Sequence, residues 1–198
     1  MIKIYPDGKI SNYLDELDIN DEIEINGPVG QVTYNNEIHK FIKFKSRTPI
    51  SGNIKKLGLL SAGSGITPML QLIRSEEFKN TEIKLIYSNK TLDDILCRTE
   101  LLSLSNPNHH NNPSSLENPE KLSNVKIHHA ITREEKENFG GLRSGETADF
   151  NRIDKKMMVE HLGGCDFYIV CGPKSFNEAC LDCLTSGLKV DDDDVYIF

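Results

Sequence analysis

The segment Leu59-Leu60-Ser61-Ala62-Gly63-Ser64-Gly65-Ile66-Thr67-Pro68-Met69 constrains this chain more than any other. An apolar run gives way to small residues and then to a proline, the order expected where a strand turns into a helix. Gly63 and Gly65, flanked by Ser61, Ala62 and Ser64, let backbone N–H groups come close to an anion. Thr67 and Pro68 read as the N-cap and first residue of the helix, whose positive end then faces the bound group. The spacing alone also fits an ordinary glycine turn, so the rest of the chain has to discriminate.

The 198 residues, 37% of them hydrophobic, suffice for one domain, or for one domain with a smaller piece attached. No apolar run approaches the roughly 20 residues of a membrane-spanning helix, and Met1-Ile2-Lys3-Ile4-Tyr5-Pro6 lacks the apolar stretch of a signal peptide. A soluble, cytoplasmic chain is expected, with membrane attachment left to a region outside this sequence. The net charge of −7 argues against nucleic acid as a partner. Five cysteines without a regular framework fit a reducing compartment, and Cys180 and Cys183 lack the second pair that a zinc site needs. No metal site is expected, at His109-His110 or elsewhere.

From Gly58 onward, short β-rich runs alternate with helical patterns, the signature of parallel βα units. The expected strands are Gly58 to Ala62, Ile83 to Ser88, Val125 to Ile131, Phe167 to Cys171 and Val195 to Phe198. The expected helices are Pro68 to Arg74, Leu92 to Leu104, Asp154 to Leu162, and Lys174 to Ser186 with Gly187 as C-cap. The fold class is α/β: a C-terminal doubly wound five-stranded parallel sheet with helices on both faces, over residues 55–198. Residues 103–123, rich in asparagine, serine and proline, read as a disordered insertion. Before it, residues 1–54 read as a partial antiparallel β-barrel, with strands at Glu22 to Ile25 and Lys40 to Phe44. So small a piece is marginal unless it packs on the larger one.

Several blocks then match one family in order: Gly8-Lys9-Ile10-Ser11 with Tyr13-Leu14, Gly27-Pro28-Val29-Gly30, the Ala62 to Met69 loop, Asn89 to Leu96, and Cys171-Gly172-Pro173. The chain resembles the NADH-cytochrome b5 reductases and the related flavin domain of nitrate reductase, within the ferredoxin-NADP reductase-like proteins. The resemblance implies an FAD-binding barrel followed by an NADH-binding α/β domain. Hydride passes from the nicotinamide to the flavin, and single electrons then pass to a haem protein such as cytochrome b5.

By the same resemblance, Gly63, Ser64, Gly65, Ile66, Thr67 and Pro68 line the NADH, with Thr67 near both the nicotinamide and the flavin, and Ser64 replaces the usual threonine. Cys171, with Gly172 and Pro173, lies beside the nicotinamide, where its thiol orients the ring; Phe176 stands where the family usually has methionine. Asp94 matches the acidic residue that selects NADH over NADPH by meeting the ribose hydroxyls, although an acid there also suits the first turn of a helix. Phe198 matches the terminal aromatic that shields the flavin, and Gly8, Lys9, Ile10 and Ser11 match the pyrophosphate end of the FAD site.

One departure matters. The family's arginine-x-tyrosine-threonine flavin motif lies upstream of the Gly8 block, yet only seven residues precede Gly8 here, and Arg47-Thr48-Pro49-Ile50-Ser51 is out of position and lacks the tyrosine. Two readings follow from the sequence: a flavin-dependent reductase of cytochrome b5 reductase type, or a non-catalytic NADH-binding module or fragment unable to hold FAD. Lys40, Lys43, Lys45, Arg47, Lys55 and Lys56 form a positive stretch that suits an acidic acceptor protein.

Overall fold

The long central strands carry apolar side chains on both faces, which forces helices onto both sides of one sheet. The computed structural model describes residues 2, 4–27, 32–35, 37, 40–43, 54–105, 124–134 and 141–198. In chain order these form α1 (Lys9–Asp15), β1 (Val32–Asn35), β2 (Lys40–Lys43), β3 (Lys56–Ala62), α2 (Ile66–Arg74), β4 (Glu82–Asn89), α3 (Arg98–Ser105), β5 (Val125–Ile131), β6 (Ala148–Asp149), α4 (Lys155–Leu162), β7 (Phe167–Cys171), α5 (Lys174–Asp182) and β8 (Val195–Ile197).

Strands β3 to β8 form one sheet in the order β6-β5-β4-β3-β7-β8, parallel at every pairing. Leu57, Leu59, Ile83, Leu85, Phe167 and Ile169 share a core with Met69, Leu70 and Ile73 of α2 and with Leu101 and Leu104 of α3. The alternate residues Leu60, Ile86, Ala130, Tyr168 and Val170 pack with Met157, Met158 and Leu162 of α4 and Cys180 of α5. The sheet is doubly wound, as the alternation of elements implies. It has six strands instead of the five expected, because Ala148–Asp149 adds a two-residue edge too short to announce itself in sequence.

Other departures are local. The helix expected from Leu92 begins only at Arg98, because Thr91 and Asp94 close a turn on each other and Cys97 takes a φ of 54°. It runs through Ser105, so the first residues assigned to a disordered insertion are helical; residues 106–123, with His109 and His110, lie outside the described residues. The helix that begins at Lys174 passes into a wider turn over Cys183–Gly187, and Lys189, at φ 62°, takes the left-handed position expected of Gly187. The start of α4 is as read, with Asp154 Oδ1 accepting from the Met157 N–H at 2.8 Å.

One of the expected barrel strands needs correction. Residues Glu22 to Ile25 form no strand; they are exposed and irregular, because an isolated extended segment has no ladder to satisfy it. β1 and β2 pair antiparallel as a two-stranded unit. They dock on the α/β core through Phe41, which is 5% exposed, with ring centroids 4.9 Å from Phe167 and 5.9 Å from Phe78. Tyr34 adds a contact at 4.5 Å to Phe78. That packing supplies the support so small a unit requires. Lys3, Pro28, Val29, Gly30, Lys45, Arg47 and the Thr48 to Ser51 segment lie outside the described residues.

Candidate functional site

The sheet grows one way from β3 through β4, β5 and β6, and the other way through β7 and β8. Where strand order reverses in an open parallel sheet, a crevice forms beyond the carboxyl ends. Two loops leave the sheet there: the Gly63–Gly65 turn from β3, and Cys171-Gly172-Pro173 from β7.

The glycines of these loops serve different needs. Gly63 has φ 53°, and a Cβ built on it would meet nothing within 4 Å, so its backbone asks for glycine while its surroundings stay open. A Cβ on Gly65 would stand 2.0 Å from the Cys171 carbonyl oxygen and 2.7 Å from its carbon, so only glycine lets the two loops touch. At Gly172 a Cβ would meet Phe176 Cδ1 at 2.5 Å and Ala62 Cβ at 3.0 Å. Phe176 therefore lies flush on the Gly172 backbone.

Helix α2 begins two residues earlier than its sequence suggested. The Gly63–Gly65 turn feeds straight into Ile66, and Gly65, not Thr67, is the N-cap. Pro68 is the third helical residue, still within the first turn, where a missing N–H costs no intrahelical bond. No side chain caps this end. Thr67 Oγ1 instead donates to the Ser64 carbonyl at 3.1 Å, bracing the turn. Ser64 is exposed, Thr67 and Pro68 are half-buried, and Ile66 is fully buried in the core, so Ile66 offers the crevice only its backbone.

Three polar groups near these strand ends were not singled out by sequence reasoning. The Tyr87 hydroxyl donates to the Gly63 carbonyl at 2.8 Å, and burial pushes its pKa up to about 12, which keeps it a donor. Ser61, fully buried opposite both Tyr87 and Cys171 in the strand register, has a hydroxyl with no hydrogen-bond partner, and the Asn89 side-chain amide nitrogen is likewise unpaired. A register contact between strands far apart in sequence leaves no local signal. The orphaned donors at a strand end are what a polar ligand would satisfy.

The remaining candidates fall into place individually. Cys171 is half-buried, and burial pushes its thiol up, so it is a neutral packing group. Asp94, exposed after β4, accepts from the Thr91 N–H at 3.2 Å and the Thr91 hydroxyl at 2.9 Å; it closes this turn and does not sit in the first turn of a helix, since α3 begins only at Arg98. The same turn is fixed from β5 by Glu134, whose carboxylate accepts from the Leu92 N–H at 2.8 Å. Phe198 is 56% exposed, its N–H donates to the Val170 carbonyl at 3.0 Å, and its ring meets Tyr196 edge-on at 5.1 Å. Gly8 is the N-cap of α1, and Lys9, Ile10 and Ser11 form its first turn. Ser11 is buried, its hydroxyl donating to the Gly8 carbonyl at 3.1 Å and accepting from the Tyr5 N–H at 3.2 Å.

Comparison with known proteins identifies the families that the chain matches. The oxidoreductase NAD-binding domain family matches residues 59–182, more than half the chain, and the oxidoreductase FAD-binding domain family matches residues 1–34. Among curated relatives, NADH-cytochrome b5 reductase 2 of Danio rerio is 35% identical over 187 residues, 89% of this chain and 53% of that protein. Nitrate reductase [NADH] 1 of rice, Oryza sativa subsp. japonica, is 40% identical over 102 residues, 49% of this chain and 11% of that protein. The chain spans about half the length of the cytochrome b5 reductases it matches over most of its own length. Among solved structures, the flavohemoglobin of Malassezia yamatoensis, with bound FAD and heme, aligns over the whole chain and 42% of its own, with a TM-score of 0.60 at 21% identity. The ferredoxin-NADP+ reductase H286L mutant of Plasmodium falciparum aligns over 96% of this chain and 65% of its own, with a TM-score of 0.58 at 18% identity. These two likenesses establish the fold. No helix among the described residues is long and apolar enough to cross a membrane.

Proposed function

This chain belongs to the NADH-cytochrome b5 reductase family of NAD-binding oxidoreductases, and from that premise we propose that its β3/β7 crevice binds NADH for electron transfer through a flavin to a haem-protein acceptor. The observation that carries the reading is the Gly65–Cys171 contact. It packs two loops so closely that their backbones, not side chains, form the floor at the reversal of strand order.

The residues present fit such a ligand. Gly63 leaves open space above an N–H-rich turn, and the uncapped start of α2 directs its dipole outward, both suited to a diphosphate. Ser61 and Asn89 supply buried polar groups without protein partners. Thr67 keeps the turn in shape through Ser64, and the neutral Cys171 thiol with Phe176 offers an apolar edge against which a planar ring can be oriented. Asp94 sets a negative charge beside the strand end of β4, which disfavours an additional phosphate on the ribose. When bound, the reduced nicotinamide supplies a hydride and the flavin relays its electrons singly.

For FAD, the Gly8–Ser11 turn and Phe198 are the groups offered. The alternative reading, an NADH-binding module without turnover, draws on the described flavin-side segment, which consists of α1 and the β1–β2 pair and closes no barrel. Titration of the protein with NADH, followed by ferricyanide reduction with added FAD, separates the cases. Binding with turnover is the expected result, binding without turnover selects the module, and absence of NADH binding removes both.

A further inference from the structure

Away from the crevice, on the α4 side of the sheet, His128 of β5, His161 of α4 and Asp149 of β6 converge so that one donor atom from each lies within 4.8 Å of the others. The residues are separated by at least a dozen positions in sequence, so no spacing motif announces them. The two imidazoles stack with centroids 3.6 Å apart and planes 12° from parallel, and His128 is 6% exposed. We infer that His128, His161 and Asp149 form a binding site for a divalent transition-metal ion of the Zn2+ class.

The hydrogen bonds around His128 say which of its nitrogens is available. Thr147 Oγ1 donates to the Ile127 carbonyl at 3.3 Å and lies 3.0 Å from His128 Nδ1. Where the hydroxyl proton goes to Ile127, the hydroxyl oxygen accepts from Nδ1–H, and this is the tautomer that frees Nε2 for an ion. The Nε2 lone pair is then bare. It is buried without a hydrogen-bond partner, and the nearest acidic atom, Asp149 Oδ2, stands 3.3 Å away. In that tautomer Nε2 and the carboxylate are two acceptors facing each other, and a cation between them satisfies both.

The donor set has the right chemistry. Two imidazoles and one carboxylate suit zinc-class ions, and a histidine ligand whose other ring nitrogen donates to a fixed acceptor is the arrangement that orients such ligands. Zn–N and Zn–O bonds of about 2.0–2.2 Å require the donors, which lie within 4.8 Å of one another, to close up and the His161 ring to turn out of its stack on His128, so that the two lone pairs converge on one ion. His161 and Asp149 are partly exposed and able to move, and both histidines relevant here line a cleft of about 380 Å³ that gives an ion its path from solvent. Three protein ligands leave a coordination position for water. The bound ion would clamp the two-residue edge strand β6 to the end of α4, a contact for which the backbone ladder provides little.

Isothermal titration of metal-stripped full chain with Zn2+ tests this. One equivalent is expected to bind, and His161→Ala and Asp149→Asn should each lower affinity at least tenfold while leaving NADH binding unchanged. Co2+ in place of Zn2+ should show no thiolate charge-transfer band, which distinguishes this site from the free cysteines. A measurement on the unsubstituted protein does not depend on variants folding: in long-range 1H–15N spectra, the free protein should show His128 protonated on Nδ1, and one equivalent of Zn2+ should shift the Nε2 signals of His128 and His161. Absence of binding, affinity in both variants unchanged from that of the unsubstituted protein, a thiolate band, or unmoved imidazole signals would overturn the proposal.

Discussion

Tyr87 donates its hydroxyl to the Gly63 carbonyl at 2.8 Å, fastening the glycine turn of β3 to the neighbouring strand β4. Burial holds the phenol protonated, with its pKa pushed up to about 12, so the bond persists across the range in which the protein is folded. Tyr87→Phe keeps the ring and removes only the donor. We expect a loss of about 1 kcal/mol in urea unfolding and a several-fold weaker NADH affinity, because the turn loses its tether. Unchanged NADH titration curves would show that the turn holds its shape without Tyr87.

Gly63→Ala and Gly65→Ala should part company. At Gly63 the φ of 53° strains an alanine, but the surroundings are open, and the cost is about 1–2 kcal/mol. At Gly65 the obstacle is the Cys171 carbonyl, which is backbone and cannot swing aside, so the two loops must separate. Overpacking of this kind costs about 1–3 kcal/mol or more, and NADH binding should fall below detection while Gly63→Ala retains it weakly. Thermal unfolding and NADH titration of both variants check the order, and equal losses would remove the close-contact explanation.

Much of this was legible from local pattern, and the exceptions share a cause. Apolar runs such as Phe167 to Cys171 marked the central strands because both of their faces are buried. The Gly63–Pro68 segment marked the crevice because a strand-to-helix turn that approaches a ligand demands small residues. What escaped were consequences of register and of turn closure. Thr67 and Pro68 looked like a cap, but the tight Gly63–Gly65 turn started the helix before them. Leu92 looked helical until Thr91 and Asp94 bonded to each other. Ser61, Tyr87 and Cys171 meet only because β4, β3 and β7 lie side by side, and His128 meets His161 only because α4 packs on β4, the neighbour of β5.

Asp94 closes its turn and, in the proposed reading, also disfavours the extra phosphate of NADPH; Asp94→Asn separates the two. Asparagine keeps an oxygen able to accept from the Thr91 N–H and hydroxyl, so the turn and the overall stability should survive. The negative charge is gone. NADPH affinity should therefore rise several-fold relative to NADH, measured by titration with each nucleotide. An unaltered ratio would confine Asp94 to closing its turn.

Acid should unfold this protein in two windows. His129 is 3% exposed, and burial pushes its pKa down to about 4 from an unperturbed 6.5. Between those values the unfolded chain binds a proton that the folded chain refuses, so stability rises with pH there and is lost as pH falls from about 6.5 towards 4. A shift of that size corresponds to about 3 kcal/mol. His128, also depressed by burial, adds to the same window. Lower down, burial alone would raise the Glu146 carboxyl, but its bonds from Arg98 at 2.6 and 2.8 Å outweigh that and hold it below its usual value. That pair is 12% and 2% exposed at its side chains, and its contribution goes only when the carboxylate takes a proton, below pH 4.5. His129→Gln should therefore flatten most of the upper slope of unfolding free energy against pH and leave the lower one in place. A slope between pH 6.5 and 4 that survives the substitution would assign the acid sensitivity to other groups.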